Sequence, residues 1–222
     1  MDRVKQLYEG YHTQKFKKGE TIFVRDYEPT HAYAIKSGVI RAFAYTPELE
    51  EKSVAFIVKN ELFPVGWLFS KTTIALFYYV AHTDCELYVV DKNTFHQALA
   101  ADSLLAHEML GHMVNDYVTK SLHITALEQS RARLKLLYTL YNFSLRYGTS
   151  VMKDVIRINI PLTQKDLASF AGLTRETVAL ETLDIKKDGI ISTRRKYYIV
   201  NLTKLVTAIK EDDLDFQPKI AG

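Results

Sequence analysis

The chain has 222 residues, 47% of them hydrophobic and 25% charged, with nine Gly, five Pro and a formal net charge of +3. That composition excludes a disordered or fibrous protein and leaves room for one large domain or two modest ones. A single cysteine, Cys85, excludes a disulfide framework, a Cys-rich zinc site and a Cys-ligated iron–sulfur cluster. The opening MDRVKQLYEGYHTQ has no apolar signal segment, and no stretch approaches ~18 uninterrupted apolar residues. A cytoplasmic chain with no membrane partner is therefore the expectation.

The first hundred residues read as short strands. Phe16-Lys17-Lys18-Gly19-Glu20 is a turn before a strand at 21–24, and further strands follow at 32–35, 39–45, 53–59, 77–82 and 86–91. These runs are rich in β-branched and aromatic residues and break at intervals of roughly 8–12 residues, the pattern of an antiparallel sandwich or barrel.

After Asp102 the period changes. Leu110, Met113, Val114, Tyr117, Val118, Ser121, Ile124 and Leu127 recur at three- and four-residue steps, the stripe of a long helix that Asp102 or Ser103 would cap. A second helix, 131–147, ends at Gly148, read as a left-handed C′ residue. A helix of over ~40 residues is unusual in a globular protein, so a hinge is expected near 128–130. The stripe packs either on a second copy of the chain, the preferred reading, or on the chain's own β half. Residues 155–160 alternate like a strand and stop at Pro161. Two short helices at 164–171 and 175–187 come next, then a hairpin over 190–200 with Thr193-Arg194-Arg195-Lys196 at its tip.

The segment 162–178, LTQKDLASFAGLTRETV, carries the chemistry. A helix-turn-helix needs a small residue where its helices touch, a Gly where the turn goes left-handed and a cap on the second helix. Ala168, Gly172 and Thr174 stand at that spacing, and Thr163 with Asp166 is close to a capping box. The second helix then presents Arg175, Glu176 and Thr177. Arginine can fork onto guanine O6 and N7, and glutamate can accept from cytosine N4. Thr163, Gln164 and Thr174, at the helix starts, and Arg194, Arg195 and Lys196 of the hairpin are placed to meet phosphates.

Charge agrees once it is divided. Residues 1–130 carry 13 Lys and Arg against 16 Asp and Glu (−3), residues 131–210 carry 15 against 6 (+9), and 211–222 carry 1 against 4 (−3). A basic block beside an acidic partner is what a polyanion-binding segment looks like, although a merely solvated surface would look the same on charge alone.

The order of parts resembles the Crp/Fnr regulators, named for the cyclic-AMP receptor protein and the fumarate–nitrate regulator. The resemblance rests on FKKGETIF (16–23), AYAIKSGVIRAF (32–43), ELYVVDKNTF (86–95), LTQKDLASFAGLTRETV (162–178) and DGIISTRRKYYIV (188–200). It implies an α+β protein with three parts. These are an antiparallel β-roll sensor at 1–101, a dimerisation helix and hinge at 102–129, and a winged helix-turn-helix with an acidic tail at 130–222. It also implies a homodimer on double-stranded DNA at a near-palindromic site, with RNA polymerase as a further partner and no enzymatic activity. Carried over, Arg175 and Glu176 read bases. The family commonly has another Arg where this chain has Leu180, which points to a contact with a thymine methyl instead.

The effector site departs from the family pattern. Cyclic-nucleotide binders of the family carry Gly-Glu and, about ten residues later, an Arg that holds the cyclic phosphate. Here Gly66 is followed by Trp67, residues 65–79 contain no Arg, and Lys71 stands too early to replace one. Cyclic AMP is therefore not the expected ligand. Phe56, Trp67, Phe69, Phe77, Tyr78 and Tyr79 would line a pocket for an apolar or aromatic small-molecule effector, or simply fill the β core. The regulator would otherwise be constitutive. His107 and His112 of HEMLGH are five residues apart, about 500° around a helix, so they do not face one metal. No metal or cofactor is expected, and no spacing among the seven His selects a haem ligand. The rival reading is an effector-sensing module that works through protein contacts, with the helix-turn-helix as an interaction surface.

Overall fold

The computed structural model describes residues 3–8 and 10–213 and divides into two compact units, Met1–Val114 and Asn115–Gly222. The first contains α1 (Arg3–Leu7), β1 (Thr13–Phe16), β2 (Thr21–Phe23), β3 (Ala32–Ser37), β4 (Ile40–Tyr45), β5 (Glu51–Ile57), β6 (Leu62–Phe63), α2 (Val65–Leu68), β7 (Tyr78–Ala81), β8 (Cys85–Val90) and α3 (Lys92–Ala101). Its strands form two antiparallel four-stranded sheets, ordered β1-β8-β3-β6 and β2-β7-β4-β5. Tyr33, Ile35 and Leu87 of the first sheet share one core with Ile40, Ala42, Tyr79 and Ala81 of the second. Ala32, Ala34 and Val90, which alternate with them, belong to a second core with Val4, Trp67, Leu68, Phe95, Leu105 and Met109 of the helices. The first sheet is thus covered on both faces, and β3 reads as an unbroken apolar run for that reason.

Several elements were not expected. Helices α2 and α3 are absent from the strand-by-strand reading, and β1 occupies residues partly read as the approach to a turn. The β1 strand, TQKF, has no fully buried residue and exists through its ladder with β8. The α3 start is fixed by Asp91, whose side chain accepts from Thr94 N.

The long helix α4 (Ser103–Glu128) is continuous through the stripe. Asp102 caps it, with Oδ1 accepting from Leu104 N at 3.0 Å and Leu105 N at 3.1 Å. Those donors hold the Asp102 carboxyl below the usual range, assisted by Arg3 at 2.7 Å. Helix α4 ends at Glu128, and α5 (Ala132–Tyr147) begins after an extended Arg131, so the expected break is present.

The second unit continues with β9 (Gly148–Met152), β10 (Val155–Ile158), α6 (Gln164–Ala171), α7 (Arg175–Lys187), β11 (Ile191–Arg194), β12 (Tyr197–Asn201) and α8 (Leu202–Asp212). Its sheet runs β11-β12-β10-β9. Gly148 corrects the sequence reading: its φ is −84° and it is extended, not left-handed. Glycine is needed there for room, because a Cβ would stand 2.1 Å from the Ser144 carbonyl oxygen and 2.3 Å from Ile156 Cγ2. Helix α8 was also unexpected; Asn201 caps it, and Leu205 and Ile209 bury its inner face. Asp212 pairs with Arg131, and Tyr138 donates to Asp213. Burial first, and then Asp213, push the Tyr138 phenol up. Beyond Asp213 the acidic tail lies outside the described residues.

Candidate nucleic-acid interface

The helix-turn-helix follows from short-range chemistry. Thr163 accepts from Asp166 N at 3.2 Å, and Asp166 accepts from Thr163 N at 2.7 Å, which closes the capping box. Gly172 ends α6 in the left-handed region, φ 65° and ψ 34°, where an L side chain would be strained. Thr174 starts α7 by accepting from Thr177 N at 3.1 Å. Its hydroxyl also lies 2.8 Å from that of Thr177, a contact that uses one of their two protons and leaves the other free to donate outward. By contrast, the Thr163 hydroxyl already donates to Asp166 at 2.6 Å.

Arg175 and Glu176 are exposed on the first turn of α7, with Thr177 half-buried behind them. Gln164 is half-buried on α6, and Leu180 is exposed on α7. Arg194, Arg195 and Lys196 are all exposed, and Arg195 takes a positive φ of 58° at the two-residue turn between β11 and β12. Leu162 N donates to Lys196 O at 2.8 Å, so this cationic tip is fastened next to the start of α6. The predicted contact residues other than Leu180 therefore lie at two helix starts and one hairpin tip.

Behind this surface lies a packed base. Phe170 of α6 stacks on His123 of α4 at 3.7 Å and lies 4.6 Å from Phe143 of α5. His123 Nε2 is 2.8 Å from the Phe170 carbonyl oxygen, so it carries the proton and donates. Asn142 donates to Thr119 O at 3.1 Å, and Arg146 pairs with Asp116 at 2.9 Å. The C-terminal half of α4 is thereby one body with the helix-turn-helix. Nothing in the sequence analysis marks His123, although a histidine inside an apolar stripe was the available signal.

Burial lowers the His123 pKa, against the opposing pull of the Phe170 carbonyl. The unfolded chain then takes up this proton more readily than the folded one. Its contribution to stability is full above about pH 6.5 and is lost as pH falls below that, at no more than ~1.4 kcal/mol per pH unit. Thermal melts from pH 7.5 to 5 should show a steeper decline for the native chain than for His123→Phe. Parallel curves would refute the assignment.

The six aromatic residues read as a candidate effector pocket do not all share one core. Tyr79 lies in the core between the sheets, stacked on Phe63 at 5.1 Å, and Phe77 packs on the same core. Trp67 and Phe69 belong to the helix-covered core, with the Lys92 ammonium 4.6 Å from the Trp67 ring and Phe69 edge-on to Phe95 at 5.5 Å. Tyr78 stacks on Phe43 at 5.3 Å, and Phe56 meets His82 at 5.1 Å. Tyr79's phenol is pushed well up by burial. Among the described residues no group of three His, Cys, Asp or Glu could hold a metal, and no helix is long and apolar enough to cross a membrane.

Two family models match the chain: a cyclic nucleotide-binding domain over residues 13–102 and a Crp-like helix-turn-helix domain over 134–208. The anaerobic regulatory protein of Bacillus subtilis (strain 168) is 28% identical over 84% of this chain and 79% of its own length. The nitrogen fixation regulation protein FixK of Azorhizobium caulinodans is 24% identical over 80% of this chain and 70% of its own. Among solved structures, FixK2 from Bradyrhizobium japonicum superposes with a TM-score of 0.75 at 17% identity, covering 94% of this chain and 98% of that one. With a β unit of the first kind and a helix-turn-helix of the second in this order, the chain belongs to the Crp/Fnr family of transcription regulators and carries that family's DNA-binding helix-turn-helix.

Proposed function

We propose that two copies of the chain join along α4 and bind a near-palindromic DNA site, each laying α7 in the major groove one helical turn from the other. Arg175 and Glu176 read base edges, the Thr174–Thr177 turn and Gln164 meet the backbone, and Arg194, Arg195 and Lys196 hold phosphates. The observation that carries this reading is the exposed first turn of α7, capped by Thr174 and flanked by the cationic hairpin that Leu162 fastens beside α6.

The dimer is supported by Leu110, Val114, Tyr117 and Ile124, which follow a 4-3 spacing with Ser121 and are 57%, 51%, 71% and 56% exposed. A seam of that kind needs a second helix. In this reading residues 1–101 serve as the sensor, 102–129 as the dimer helix and hinge, and 130–222 as the DNA-binding part of a cytoplasmic regulator. Trp67 is buried where cyclic-nucleotide binders have Glu, which argues against a cyclic nucleotide; the sensor would take an apolar or aromatic effector, or the regulator would act constitutively. RNA polymerase would meet the dimer on its DNA.

The test is selection from random duplexes with the full chain. A palindromic consensus is expected, and Arg175→Ala should relax one base pair per half-site at a cost of roughly 1–3 kcal/mol. Equal weakening on every sequence would make Arg175 a phosphate contact, and no enrichment would remove the DNA reading.

A further inference from the structure

Helix α7 carries two large apolar side chains in water. Leu180 is 67% exposed and Leu183 55% exposed. At about 100° per residue, with Glu176 as zero, Leu180 lies near 40° and Leu183 near −20°. The buried Val178, Thr182 and Ile185 lie near 200°, 240° and 180°. The two leucines therefore continue the Glu176 line along the ridge farthest from the protein core. Sequence reasoning singled out Leu180 alone; Leu183, seven residues from Glu176, completes the ridge.

We infer that Leu180 and Leu183 are specificity residues that read the C5 methyl groups of thymines on neighbouring base pairs. The inference rests on the proposed placement of α7 in the major groove. The thymine methyl is the one apolar group on the base edges there, and every other edge presents donors or acceptors. Leucine over a polar edge strips its water and returns no hydrogen bond, whereas leucine over a methyl buries both. The spacing fits. Leu180 lies ~6 Å along the helix from Glu176, and Leu183 ~4.5 Å farther, against ~3.4 Å between base pairs. The ridge thus has an acceptor at its start, suited to a cytosine amino group, followed about two steps on by a pair of methyl readers.

The test replaces thymine with deoxyuridine, which deletes only the methyl. The selected half-site is synthesised with each thymine changed in turn, and full-length protein is titrated against each duplex at fixed salt. Two adjacent thymines should be methyl-sensitive, each losing roughly three- to tenfold in affinity. Leu180→Ala should erase the sensitivity of the thymine nearer the pair whose choice Glu176→Ala relaxes, and Leu183→Ala that of the farther one. Both positions are exposed, so neither variant should disturb folding, which a melting curve confirms. No methyl-sensitive pair, or sensitivity that survives in the alanine variants, overturns the inference while selective binding leaves the DNA reading intact. A ridge that docks a protein instead would give that result. Failure to enrich any sequence removes both.

Discussion

Phe170→Ala is expected to lower the unfolding free energy of the C-terminal unit by about 3–5 kcal/mol. Phe170 is 4% exposed and lies between the His123 ring and Phe143. Alanine would leave a cavity walled by three helices and remove the stack that holds His123 against the Phe170 carbonyl. Domains have about 5–15 kcal/mol in total, so this is a large fraction. Denaturant titration followed by circular dichroism should show the loss, and specific DNA binding should vanish well below the native melting temperature. Phe170→Leu should cost clearly less. A change under about 1 kcal/mol for the alanine variant would contradict the packing described.

The second large effect is on salt. In the proposed dimer, the three exposed cations of each hairpin tip would make six phosphate contacts. Such a set gives a slope of about −5 in log affinity against log salt and a loss of roughly a thousandfold between 50 and 200 mM. The R194A/R195A/K196A triple variant should flatten that slope and weaken binding at low salt, while leaving the preferred sequence unchanged, because phosphate contacts carry no base information. Fluorescence anisotropy over a salt series measures both. A flat profile in the native chain would place the +9 block away from DNA.

What could be read from the chain was what is decided within a few residues. Thr163, Gly172 and Thr174 set the bounds of α6 and the start of α7 by hydrogen bonds and a positive φ, and their spacing announces both. The stripe of α4 and its break before α5 were legible for the same reason: period and length are local quantities. Gly148 was misread because the contacts that exclude a Cβ come partly from Ile156, on another strand. Strand β1 was invisible because only its pairing with β8 makes it a strand. Helix α8 had a local signal, an Asn201 cap ahead of Leu205 and Ile209, that went unused. The aromatic residues were the least legible, since composition says how many rings there are and only the sheets say which face each one takes.

The bond from Leu162 N to Lys196 O joins the segment before α6 to the turn between β11 and β12. It ties the hairpin tip to the head of α6 and so limits how far the two can part. If each grips a strand of the backbone, the protein acts as a caliper on the width of the groove between them. A duplex whose local stiffness holds that groove at another width would then be turned away before any base edge is touched.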